Sequence, residues 1–179
     1  GKLPKAGLLK FIFNTVKQFN ATQGTRTLCT LADNAEYCAQ AYKNKTSINV
    51  IMAAIEYADS IDAPKQKEIV LQVQDDESGL VGRTLEAGDL RALSIGDEIN
   101  CCQYVSGHAG SCAKATYRET DFGVFVVEQK VKRGSKPLAE SAIWLNDQKN
   151  VIVIDSIEGQ RKDAESSKSD GLGFMIRSR

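Results

Sequence analysis

Apolar residues recur at three- and four-residue spacing through the first third of the chain, then at two-residue spacing through most of the remainder. Leu8, Leu9, Ile12, Phe13, Val16 and Phe19 form one amphipathic helical stripe. After Gly24, Leu31, Ala35, Cys38, Ala39 and Tyr42 form a second, with Thr30 and Asp33 as a capping signal. Thr46 or Ser47 caps a third, carrying Ile48, Ile51, Ala54, Ile55 and Ala58, and Pro64 ends it. Three helices are therefore predicted within residues 1–65.

The period changes at residue 68, where Ile69, Leu71 and Val73 share one face of a predicted strand over 68–74. Asp75, Asp76, Ser78 and Gly79 make a turn, and residues 84–93 read as a short helix between Gly82 and Gly96. Further strands are predicted over 99–105, 113–119, 123–131, 139–145 and 151–157. The basic turn 132–137 and the polar turn 146–150 are short enough only for antiparallel neighbours. Val151-Ile152-Val153-Ile154 has no polar interruption, which predicts a central strand buried on both faces. The predicted fold is α/β in the α+β sense, a helical region over 1–65 followed by a mainly antiparallel sheet region over 66–179.

Composition narrows the classes of function. Lys and Arg number 23 and Asp and Glu 23, and this balance excludes a general nucleic-acid or anionic-membrane surface, which needs an excess of cations. No apolar run approaches the roughly 20 residues of a membrane span. Residues 8–19 are interrupted by Lys10, Asn14, Lys17 and Gln18, and read as neither a span nor a signal peptide. The five cysteines are odd in number and sparse, which predicts reduced thiols and a cytoplasmic setting. The chain begins with Gly1 rather than Met, as an excised or processed piece would.

Three groups of residues can carry chemistry. Cys101, Cys102, His108 and Cys112 fall within twelve residues, but adjacent cysteines on a strand point to opposite faces and do not suit one tetrahedral ion. Buried thiols beside a glycine turn are the better reading, and no metal site is expected. His108, the sole histidine, is the one imidazole that could activate a cysteine nucleophile. Asp155 and Glu158 sit where an apolar strand opens into a loop, a place where desolvation can raise a carboxyl pKa and make a general base. Finally, the polar segment 160–170 leads into Gly171-Leu172-Gly173 ahead of an apolar helix start. Amides at such a helix start can cradle an anion.

A strand ending in carboxylates, then Lys168-Ser169-Asp170-Gly171-Leu172-Gly173 and a helix, resembles the acetyl-coenzyme A motif of the GCN5-related N-acetyltransferase family. That motif runs Gln or Arg, two residues, Gly, one residue, Gly or Ala. The resemblance covers residues 85–179, and the segments 139–145 and 151–157 look like the family's fourth and fifth strands. Cys101-Cys102-Gln103, Gly107, Gly110, Cys112, Ala139-Glu140-Ser141, Trp144 and Asp155-Ser156-Ile157-Glu158 are also similar to an acetyltransferase-like domain found within large bacterial proteins.

The resemblance implies an N-acyltransferase using acetyl-CoA on an amine of a small molecule or protein. Amides of Ser169 to Phe174 would hold the pyrophosphate, with Lys168, Ser169, Asp170, Gly171, Leu172 and Gly173 as the phosphate turn. The backbone at Ile154, Ser156 and Ile157 would meet the pantetheine arm, and Glu158 or Asp155 would deprotonate the amine. The sequence departs from the family in its Lys168, in about ten residues between strand and turn, and in ending at Arg179, before the family's later strands. Those strands are expected either on another polypeptide or on a C-terminal stretch missing from a truncated piece. Two alternatives stand beside this one: a non-catalytic interaction or regulatory module of a larger bacterial protein that grips a protein partner through residues 8–62, and a cysteine-dependent hydrolase centred on His108.

Overall fold

In the computed structural model, residues 30–62, 65–132 and 134–159 are described. The first and last of the sequence features, the stripe 8–19 and the turn 168–173, lie outside them. Helix α1 (Ala35–Lys43) follows helical residues 30–33, and α2 (Ile48–Asp59) follows a turn in which Lys45 takes a left-handed φ of 64°. Their facing stripes bury Leu31, Cys38, Ala41, Ile51 and Ile55 against one another. All but Ala41 are residues of the predicted stripes, because helical spacing places them on one face.

The sheet is antiparallel throughout: β1 (Gln72–Asp75), β2 (Leu80–Thr84), β3 (Phe122–Val131), β4 (Gly134–Leu145) and β5 (Ile152–Ile154) lie in that order, and β6 (Glu158–Gly159) also pairs with β4. Between β2 and β3 the chain crosses one face through a 3-10 turn (Leu90–Leu93), the short α3 (Ile95–Glu98) and α4 (Gly110–Arg118). Val50 and Ala54 of α2 join Leu93, Ile95, Tyr117, Val124 and Val126 in one core, so the helices and the sheet share a single apolar interior. Pro137 sits beside a register shift between Val127 and Glu128, where a missing amide donor is tolerated. Gly82 leaves room for the Phe125 ring, which would lie 2.5 Å from a Cβ there.

Five expectations are corrected. Residues 99–105 form no strand. Burial alternates there, with Ile99, Gln103 and Val105 inside, but Asn100 has φ 61° and turns the chain, and Cys101 N bonds back to Gly96 O at 2.8 Å. Residues 113–118 are helix instead of strand, with Glu119 as the extended cap, because Gly110, Ala113, Thr116 and Tyr117 give a helical face that outweighs the alternation of Ala113, Ala115 and Tyr117. Residues 84–93 are the end of β2, a turn and the 3-10 segment, and the strand expected over 68–74 forms at Gln72–Asp75 with all its side chains exposed. Residues 151–157 are not a buried central strand. Only Ile152–Ile154 pairs, at the end of the strand order, leaving Val151 50%, Ile154 54% and Ile157 59% exposed.

Lys67 secures the crossing helices. Its ammonium donates to the carbonyls of Thr116 (2.5 Å), Glu119 (2.6 Å) and Phe122 (2.9 Å), closing the C-terminal end of α4 where unpaired acceptors and the helix dipole favour a cation.

Candidate functional site

β4 carries one acidic residue in its buried stretch, Glu140, and antiparallel register sets Glu158 of β6 directly opposite it. Strand alternation turns Glu140 to the same face as Val126, beneath the crossing helices, where it is 2% exposed. The loop after α3 delivers Cys101, whose thiol donates to Glu140 Oε1 at 3.1 Å while Gln103 N–H donates to its Sγ at 3.4 Å. Gly96 permits this approach, since a Cβ there would collide with the Gln103 carbonyl and crowd Cys101 Sγ. From α4, Cys112 reaches Gln103 Oε1 at 4.0 Å.

Charge around Glu140 is unbalanced. Burial pushes its carboxyl up to about 7; the Cys101 hydrogen bond opposes this, while Glu158 and Glu98 reinforce it. No cation contacts it among the described residues. Cys101 is pushed up to about 12 by burial first, with the Gln103 amide opposing and Glu140 and Glu158 adding to the rise. Cys112 is likewise raised by burial and then by Asp155 and Glu140. These thiols stay protonated at neutral pH, the reverse of what a cysteine nucleophile needs. His108 is exposed, and the hydrogen bonds of Cys101 and Cys112 run to Glu140 and Gln103 instead. Among the described residues no group of three or more His, Cys, Asp or Glu is placed to hold a metal ion.

The carboxylate-bearing strand end is brought to the same place. Between the pairs Ile143–Ile154 and Glu140–Glu158, β4 advances three residues and the facing chain four, so Asp155-Ser156-Ile157 forms a bulge. Asp155 anchors it: its N–H donates to Ala142 O at 3.0 Å, its carbonyl accepts from Ser141 Oγ at 3.1 Å, and its Oδ1 accepts from Ser156 N at 2.8 Å. Ser156 Oγ contacts Glu158 Oε1 at 3.4 Å. Among the described residues the Ile157 amide has no partner. Ile154, Asp155, Ser156, Ile157 and Glu158 are thus collected beside Glu140, Cys101 and Cys112.

Sequence reasoning did not single out Glu140 as a reacting group, although an isolated acid within the apolar stretch 138–145 was a usable signal. It also passed over a second buried set. Arg91 reaches Glu98 Oε2 at 3.2 Å and Glu128 Oε1 at 3.0 Å, Arg83 Nε lies 3.4 Å from Glu128 Oε2, and Asn44 donates to Glu98 at 2.8 Å. No protein-family model, curated protein or solved structure matches this chain.

Proposed function

We propose that this chain is an acyl-coenzyme A dependent N-acyltransferase acting on an amine of a small molecule or protein. The observation that carries the reading is the bulge at Asp155-Ser156-Ile157 on an outer strand, directly beside the buried carboxyl of Glu140. An extended arm with two amides, such as pantetheine, matches a strand edge, because main-chain hydrogen bonds can continue along it. The Ile157 amide, without a partner among the described residues, and the exposed Ile154 and Ile157 side chains suit the polar and apolar parts of such an arm.

The coenzyme would supply the acyl thioester. The chain's own residues do the rest. Glu140, with a pKa near 7, can take a proton from an attacking amine at neutral pH without being too weak a base to do so. Burial keeps that pKa high, repulsion from Glu158 opposite adds to it, and Asp155 holds the bulge. Lys168 to Gly173 remain in the proposal as the phosphate turn, on the sequence resemblance alone.

Coenzyme A at about 1 mM should raise the melting temperature of the full chain by mass action, and Gly171→Glu or Gly173→Glu should remove the rise. Glu140→Gln should keep the rise but lower acyl transfer about 100-fold or more. A full chain whose melting temperature ignores coenzyme A would sink the proposal.

A further inference from the structure

A cavity of about 540 Å³ opens between α1 and the 3-10 turn, away from the bulge and its coenzyme reading. That volume suits a small organic molecule. Arg91, which is 6% exposed, and Arg83 both line the cavity. Arg91 spends its donors on Glu98 and Glu128. Arg83 uses only Nε, toward Glu128, so among the described residues its two terminal nitrogens form an unpaired fork, with the side chain 35% exposed. A planar guanidinium fork matches a carboxylate, bidentately.

The walls carry the opposite charge. Asp33, Glu36 and Asp89 line the same cavity; Asp89 Oδ1 accepts from Arg91 N–H at 2.9 Å, and its other oxygen has no partner among the described residues. Tyr37 also lines it, with its buried hydroxyl beside the Ser94 side chain. Burial raises the Tyr37 pKa above its ordinary value, so the phenol remains a neutral donor. A simple anion would meet three carboxylates, and a simple cation would meet the Arg83 fork. A molecule with both charges satisfies both.

We propose that this cavity binds a small zwitterion of the α-amino acid class, its carboxylate on Arg83 and its ammonium toward Asp89, Glu36 and Asp33. The site does not depend on coenzyme A binding. Titration calorimetry of the full chain against the free L-amino acids should find at least one that binds saturably below about 10 mM. The N-acetyl and carboxamide forms of that amino acid should each bind at least tenfold more weakly, since each removes one charge. Arg83→Gln should weaken binding at least tenfold, with its melting temperature recorded to show that it folds. Asp89→Asn keeps the oxygen that accepts from Arg91 and should still weaken binding severalfold. No binding by any free amino acid, equal binding of the N-acetyl form, or unchanged binding in both variants would overturn the proposal.

Discussion

Two acid-bearing regions share the inner face of the sheet, and they differ in one respect. In the first, Glu98 and Glu128 are buried but flanked by Arg91, with Arg83 added at Glu128. In the second, Glu140 is buried with a thiol and two further carboxylates near it, and no guanidinium. Strand register puts Arg83 opposite Val126 and Val126 opposite Glu140, so the two regions stand only two strands apart, roughly 10 Å between backbones. Burial is similar, at 4% exposure for Glu128 and 2% for Glu140. Burial raises the carboxyl of Glu98 as it does that of Glu140, but at Glu98 the Arg91 guanidinium opposes the rise by charge and hydrogen bond, whereas at Glu140 only the Cys101 thiol opposes it.

The harshest way to break the comparison is to remove the cation. Arg91→Met leaves Glu98 buried with only the Asn44 amide donating to it, and Glu128 with only the partly exposed Arg83. It should cost about 3–5 kcal/mol of unfolding free energy, read by denaturant titration. A loss under about 1 kcal/mol would show that the arginine does not set the character of this region.

Glu140→Gln acts in the opposite direction. The folded pKa of about 7 lies above the ordinary 4.5, so the folded state holds the proton more tightly. This group's contribution is most favourable below about 4.5 and declines as pH rises toward 7, by about 3 kcal/mol in all. The Gln variant should thus be more stable than the parent at pH 8 by up to that amount, nearly equal to it at pH 4, and flatter between. A parent whose stability rises across pH 5–7, with the slope unchanged in the variant, would contradict the assignment.

The smallest effect sharpens the second region alone. Cys101, raised to about 12, should be alkylated by iodoacetamide at pH 8 roughly 100-fold more slowly than the exposed Cys102, as followed by peptide mass mapping. Glu140→Gln should shorten that gap severalfold by removing one of the negative neighbours. Equal rates in the parent would mean that the thiol is not shielded as the structure has it.

The legible parts were those whose signal is local. The α1 and α2 stripes and the β3–β4 hairpin arise from spacing and from a short turn, both of which act between near neighbours in sequence. Asp155 and Glu158 could be singled out from sequence because an acid closing an apolar run is visible without a fold. Residues 99–105 were misread because alternation is a pattern of burial, and a loop pinned by Asn100 and Gly96 can produce it without a ladder. The apolar run 151–157 was misread for a related reason: four consecutive apolar residues declare a strand but not how many neighbours it will have.

The amino-acid order alone determined the helical stripes, the antiparallel meander, the balance of charge and the acids at the close of the last apolar run. Tertiary structure decided which acid is buried without a cation, that the strand holding Asp155 bulges, and that Arg83 and Arg91 meet Glu98 and Glu128. Those outcomes depend on side chains distant in sequence sharing one face, and electrostatic partnership over a few ångströms is a property of that face rather than of any segment.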